Sequence, residues 1–181
     1  MPVGTALYRI HLTRNHPLQF RREPDPVRRR RWDAADGSFG VCYAAFDAHI
    51  AFVETLLRDL SLETVHHVDL NVRSLASLDV RRAIRLVEMN DQHMRSLGAD
   101  ASVVQGSYEV TWAWSAALHA HRERPDGIRY RARHDDSGFS VALFGRARHR
   151  VHLLDSVPLN DSSLAAELAG WLDRYGVGLT A

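Results

Sequence analysis

The sequence predicts an α+β domain. Strand-like and helix-like stretches follow one another without the strict alternation that a parallel α/β fold would show. The chain has 181 residues and is 45% hydrophobic, which is enough apolar material for one core of ordinary size. One domain over residues 1–181 is therefore expected.

Val3 to Leu12 mixes apolar and β-favouring residues and breaks at Asn15-His16-Pro17, so it reads as an opening strand carrying Arg9. Gln19 to Asp36 is polar, contains Pro24 and Pro26, and runs through Arg28 to Arg31. It reads as an excursion over the surface, and long loops of this kind often carry function. Ser38 to Ala45 is apolar and aromatic, as a buried strand requires. Asp47 then stands where it can cap a helix through Arg58, with Ile50, Val53, Leu56 and Leu57 on the apolar face.

Thr64 to Val72 reads as a strand from its β-branched, partly alternating residues, Ser74 to Val80 as a connection, and Ala83 to Met89 as another short strand. Asn90 or Asp91 is placed to cap a short helix ending at Gly98. Tyr108 to His121, with Trp112, Trp114, Ala116 and Leu118, is long enough for a buried helix. Pro125-Asp126-Gly127 is a turn. Strands are expected at Ile128 to Ala132, Ser140 to Phe144 and Val151 to Leu154, and a last helix from Ser162 to Tyr175 before Gly176.

The formal charge is +1, so the overall balance asks for neither a nucleic acid nor a membrane surface. Arginine supplies every Lys/Arg position and there is no lysine; an anion site must use guanidinium forks or backbone amides, and lysine chemistry is excluded. Cys42 is the single cysteine, which rules out an intrachain disulfide and a multi-thiolate zinc site and fits a reducing, cytoplasmic setting. No apolar run approaches the roughly 20 residues needed to span a bilayer, and no export signal is expected at the N-terminus. The histidines at 66, 67, 119, 121, 149 and 152 show neither an HExxH pattern nor paired carboxylates, so no metal is expected. Trp112 and Trp114 read as core or interface anchors. Gly37, Gly40 and Gly138 read as turn residues, because no GxGxxG follows a strand.

Three segments, in order, carry a family resemblance: LYRI with Arg9, RRWDAADGSFGVCYAAFDAHIAFVET, and TWAWSAALHAHRERPDGIRYRARHDDSGFSVALF. They cover most of the chain between Leu7 and Phe144, and in them the chain resembles RES-domain proteins, the toxins of RES/Xre toxin–antitoxin pairs. The resemblance implies a mixed, split β-sheet core similar to the diphtheria-toxin-like ADP-ribosyltransferase fold. It also implies NAD as substrate, consumed by hydrolysis, phosphorolysis or ADP-ribosyl transfer, and an Xre-like antitoxin with a helix-turn-helix domain as partner; a homodimer would fit the family. By position, Arg9 and Arg31 look like the family's arginines, Tyr43 like its tyrosine and Glu54 like its glutamate. The serine departs from the pattern. Where the family reads Tyr-x-Ser-Arg, this chain reads Tyr130-Arg131-Ala132-Arg133, with Ser137 and Ser140 nearby but out of register. A weakened RES domain acting as a nucleotide-binding or interaction module is the alternative that Ala132 raises.

These residue types suit NAD. Arginine forks form charge-assisted hydrogen bonds to pyrophosphate oxygens, an aromatic ring can stack on nicotinamide or ribose, and a carboxylate stabilises an oxocarbenium-like ribosyl cation. Arg9 and Arg31 are thus expected to grip the pyrophosphate, Tyr43 the nicotinamide riboside end, and Glu54 the developing cation. Each residue also has a plainer reading. Arg9 can be a surface strand-end residue, Tyr43 a core aromatic with its hydroxyl satisfied locally, and Glu54 the partner of Arg58 in an i,i+4 ion pair. The Arg28 to Arg31 run equally fits a solvated loop, a nucleic-acid patch or a docking surface for an acidic segment.

Overall fold

The computed structural model describes residues 1–100, 103 and 106–180. In chain order the elements are β1 (Ala6–Leu12), β2 (Val41–Ala45), α1 (Ala48–Leu56), β3 (Thr64–His66), α2 (His67–Asn71), β4 (Arg73–Val80), β5 (Leu86–Met89), α3 (Asp91–Ser96), α4 (Tyr108–Ala120), β6 (Gly127–Arg131), β7 (Phe139–Phe144), β8 (Val151–Pro158), α5 (Ala165–Tyr175) and β9 (Gly178–Thr180). Seven strands form one sheet in the order β5-β6-β7-β2-β1-β4-β8, parallel at β5–β6 and antiparallel elsewhere. The expected α+β class with a mixed sheet is observed.

Two expectations need correction. Ser74 to Val80, read as a connection, lies in β4, an interior strand paired along its length with β1 on one side and β8 on the other. Its serines look like loop residues in sequence, but the Ser74 hydroxyl meets that of Thr13 at 2.9 Å, so a strand accommodates it without an unpaired polar group. Thr64 to Val72, read as one strand, splits into the short β3 and the single-turn α2, which is closed off by an Asp69–Arg73 ion pair. β3 pairs in parallel with β9, a strand not anticipated at all. The last helix ends as expected, with Gly176 in the left-handed region at φ 63°.

Strand alternation sorts the core. Ile10 on β1 and Ala45 on β2 pack beneath α1 and α5 with Ile50, Phe52, Leu168 and Leu172. Further along the same face of β2, Val41 joins Trp32, Ile128, Ala142, Phe144 and Leu118 of α4 in a second cluster. The opposite face carries Leu7, Cys42, Ala44, Ala76, Leu78 and Leu143. One face of the sheet thus bears two separate mounds, and the ground between them is where a cleft can form.

Candidate active site

The cleft begins with a gap in the sheet. β1 and β2 are in register at Tyr8 opposite Ala45, and at the other end of β2 the place beside Val41 is taken by Arg21, not by β1. Between those points the strands diverge. The Arg9 guanidinium bridges the opening: Nη1 donates to the Tyr43 carbonyl at 2.7 Å and contacts Cys42 Sγ at 3.3 Å. By alternation Arg9 belongs to the face of Leu7, so the split lets a side chain from the far face reach the cleft floor.

The cleft has two adjoining lobes. The first, about 390 Å³, is lined by Tyr8, Arg9, His11 and Ser140; the second, about 480 Å³, by Arg31, Tyr108, Arg131, Arg133 and His134. Arg30, Tyr43, Glu54, Arg58 and Tyr130 line both and form the wall where they meet.

Glu54 is placed there by α1. Its Oε1 accepts a hydrogen bond from the His134 backbone N–H at 2.9 Å, so the carboxylate is held from the β6–β7 turn. That turn packs closely on α1 because residue 138 is glycine; a Cβ there would collide with the Ile50 side chain. The helix stops at Leu56, ahead of Arg58, and among the described residues Arg58 forms no ion pair with Glu54. The i,i+4 reading of Glu54 is therefore not how the side chain sits.

The arginine run is organised by α4. Trp112 Nε1 donates to the Arg30 carbonyl at 2.9 Å, and the buried Ser115 hydroxyl to the Trp32 carbonyl at 2.7 Å. The Arg29 guanidinium lies 5.8 Å from the Trp112 ring centroid, and that of Arg31 5.3 Å from the Tyr108 ring. Tyr108, Trp112 and Ser115 share one helical face at i, i+4 and i+7, so one stripe of α4 fixes the whole loop.

Tyr43 has its hydroxyl fully engaged: it accepts from the Trp32 N–H and donates to Asp33 Oδ1, both at 2.9 Å. Its ring stays on the cleft wall, 6.0 Å from the Arg30 guanidinium carbon. Burial, followed by the neighbouring Asp33 carboxylate, pushes its pKa well above that of a free phenol. Burial likewise pulls the Arg30 and Arg31 pKa values below the usual arginine value, with Arg58 adding to the effect on Arg30 and Arg133 to that on Arg31. Burial also lowers the pKa of His134, against the opposing pull of Glu54. Among the described residues, Glu54 is the one carboxylate on the wall common to both lobes, beside Arg30 and Arg58.

Of the residues expected from sequence, Arg9, Tyr43 and Glu54 line the first lobe, and Tyr43, Glu54 and Arg31 the second. Ala132 does not line either lobe. It is 3% exposed in the cluster with Ile10, Ala45 and Ile50, and the serine facing the cleft is Ser140, directly across from Tyr130. Sequence reading passed over Arg30, Arg58, Arg133, Tyr130 and His134. Arg30 had a signal, since it lies in the run from which Arg31 was chosen; a backbone donor such as His134 N–H leaves none. Among the described residues no group of three or more His, Cys, Asp or Glu side chains is arranged to hold a metal ion, and no helix is long and apolar enough to cross a membrane.

Comparison with known proteins places the chain beside the following relatives. The family model for the RES domain matches residues 6–165. The probable toxin y4kH of Sinorhizobium fredii (strain NBRC 101917 / NGR234) is 30% identical over 105 residues, 58% of this chain and 80% of that protein. The crystal structure of the M. tuberculosis MbcT–MbcA toxin–antitoxin complex contains a chain similar in fold, with a TM-score of 0.71 and 18% identity over 94% of this chain and 91% of that one.

Proposed function

The chain belongs to the RES-domain family, and from that premise we propose that it is the toxin of a toxin–antitoxin pair and consumes NAD by breaking the bond between nicotinamide and ribose. The observation that carries the reading is the place of Glu54: one carboxylate, held by a backbone N–H, at the junction of two arginine-lined lobes.

In this reading Arg9 from the sheet split and Arg31 from the α4-braced loop grip the pyrophosphate from two sides through charge-assisted hydrogen bonds. The Tyr43 ring supports the nicotinamide riboside end by its face, because its hydroxyl is committed to Asp33 and Trp32. As the C1′–N bond breaks, its electron pair leaves with the nicotinamide ring nitrogen and positive charge grows on the ribose. Glu54 faces that charge, and its electrostatic stabilisation is strongest at the transition state. An oxygen nucleophile from water, inorganic phosphate or a protein side chain then bonds to C1′ and releases its proton to solvent. Ala132, buried in the core, takes no part, and Ser140 occupies the polar position beside Tyr130. The partner in this reading is an Xre-like antitoxin, the setting is the cytoplasm, and a homodimer fits it.

The test is nicotinamide release from NAD by the pure protein beside its Glu54→Ala variant. Release that depends on Glu54 supports the reading, and equal rates from both proteins overturn it. Growth arrest on expression, relieved by co-expressing the product of the adjacent gene, is the corresponding outcome for the toxin assignment.

A further inference from the structure

A neutral nucleophile must lose a proton as it bonds to C1′, and Glu54 is poorly suited to take it. A carboxylate that accepted the proton would give up the negative charge that stabilises the ribosyl cation in the same step. Guanidinium and phenol groups, which make up most of the polar lining of the second lobe, hold their protons near neutral pH. Asp59 Oδ1 already accepts from both the N–H and the hydroxyl of Ser61, at 3.0 and 2.7 Å. The two histidines that line the lobes differ in the same respect. His11, in the first lobe, is engaged through both ring nitrogens, with the Leu12 carbonyl at 2.9 Å and the Ser156 hydroxyl at 3.0 Å. His134, in the second, is not.

The place of the His134 ring is set by its own backbone. Its N–H donates to Glu54 Oε1 at 2.9 Å, so the imidazole springs from a main chain in direct contact with the carboxylate. The turn that carries it is held against α1 by the close fit of Gly138 on Ile50, and from α5 by the Tyr175 hydroxyl, which donates to Asp135 at 2.9 Å. The ring lines the second lobe and, among the described residues, forms no hydrogen bond and no ion pair, so neither nitrogen is committed elsewhere. The charged groups that act on it are Glu54 from α1, Arg58 just past the end of that helix, Arg31 from the loop before β2, and Arg133 beside it in the turn. Burial lowers its pKa below 6.5 with the three arginines adding to the effect and Glu54 opposing it, so near neutral pH the ring has a lone pair to offer. The Glu54 carboxylate is in turn placed to stabilise the imidazolium once it forms.

Resting on the reading that the cleft breaks the C1′–N bond of NAD, we propose that the His134 imidazole is the general base of the reaction, acting on a neutral, proton-bearing nucleophile such as water. The O–H bond of the nucleophile breaks as its oxygen bonds to C1′, and the proton passes to the unprotonated ring nitrogen. The electron pair of the C1′–N bond leaves with nicotinamide, and the imidazolium then returns its proton to solvent.

The experiment follows nicotinamide release from NAD by the full-length protein, His134→Ala and His134→Gln across a range of pH in phosphate-free buffer. Both variants keep the backbone N–H that holds Glu54, so an unchanged circular dichroism spectrum and a KM near that of the parent are expected. At pH 7.5 each should release nicotinamide about 10²-fold more slowly, the lower end of what a positioned base contributes. The parent rate should fall on an acid limb below pH 6.5, as the ring takes up a proton, and that limb should vanish in the variants. Azide, an anionic nucleophile with no proton to remove, should restore most of the lost rate to both variants and add little to the parent. Variants that keep more than half the parent rate overturn the proposal. So do slow variants that azide does not restore, or a glutamine that serves as well as histidine, because the ring then acts by packing or hydrogen bonding. Release that requires inorganic phosphate also overturns it while leaving NAD cleavage intact, since phosphate brings an ionised oxygen of its own. If the parent releases no nicotinamide under any of these conditions, the NAD reading itself falls, and this proposal with it.

Discussion

Glu54 on α1 and His134 in the β6–β7 turn are joined by one hydrogen bond, 2.9 Å from the His134 backbone N–H to Glu54 Oε1, across 80 residues of sequence. The turn is itself braced: Asp135 accepts from the Tyr175 hydroxyl at 2.9 Å and from the Ser137 N–H at 3.0 Å, and Arg174 sits 3.3 Å from its carboxylate. The fold therefore sets the direction of Glu54 from two sides, its own helix and a turn anchored to α5. Glu54→Gln keeps an oxygen acceptor for the His134 N–H but loses the negative charge. Nicotinamide release is expected to fall by about 10²–10³-fold with little change in thermal midpoint. A variant that retains more than half the activity would separate Glu54 from the chemistry.

The arginine loop depends on a different pair of contacts, from Trp112 to the Arg30 carbonyl and from Ser115 to the Trp32 carbonyl, across 82 and 83 residues. Ser115 is fully buried, so Ser115→Ala leaves an unpaired carbonyl and is expected to cost about 1–3 kcal/mol of folding free energy. Trp112→Phe removes the more exposed bond and keeps an aromatic face for Arg29. Its expected signature is a KM for dinucleotide raised severalfold at nearly constant kcat, because the loop binds substrate without touching the reacting bond. A loss confined to kcat would argue that the loop acts in catalysis, not in binding.

Much of this was legible in the sequence, for physical reasons that differ from part to part. Strands such as β2 and β7 declare themselves through continuous apolar runs, and α5 through its stop at Gly176. β4 was hidden because Ser74 and Ser77 read as loop residues, although a strand can pair their backbone and, at Ser74, the hydroxyl as well. β9 is three residues long and owes its strand character to pairing with β3. Arg9, Arg31, Tyr43 and Glu54 were visible by family position. The cleft they share with Arg30, Tyr130 and His134 was not, since it arises from contacts between segments about eighty residues apart. Tyr43 satisfies both of its readings, with a hydroxyl pinned in the fold and a ring on the cleft.

His119 makes the stability of the α4 region sensitive to acid. It stacks on Phe39 with ring centroids 3.9 Å apart and meets Phe144 edge-on, and burial, then Arg146 and Arg124, depress its pKa from 6.5 to about 4. Above pH 6.5 the ring is neutral whether the chain is folded or not, and its stacking contribution is fully present. As pH falls from 6.5 towards 4, the unfolded chain takes up a proton that the folded state resists, so stability declines through that window and the loss is complete below about 4. Partial solvent contact screens the effect to about 1 kcal/mol. Urea denaturation of the protein and of His119→Phe at a series of pH values tests this. The variant should lose that part of the slope, and identical slopes would assign the acid sensitivity to other groups.

Ala132 is where family position and fold disagree most sharply. Position assigns it to the place of the family serine, yet its side chain is 3% exposed among Ile10, Ala45 and Ile50, while its N–H donates to the Gly138 carbonyl at 3.1 Å. A hydroxyl introduced there enters an apolar cluster, and its burial is expected to cost about 1–3 kcal/mol. Ser140 sits opposite Tyr130 on the neighbouring strand and lines the first lobe, where a hydroxyl can meet substrate. Ala132→Ser is therefore expected to lower the thermal midpoint without raising nicotinamide release. Ser140→Ala is expected to weaken turnover or dinucleotide affinity by severalfold, the worth of about one hydrogen bond. If Ala132→Ser instead raised activity at least tenfold, the alanine would have to turn into the cleft when substrate binds, and the β6–β7 turn that carries His134 would have to move with it.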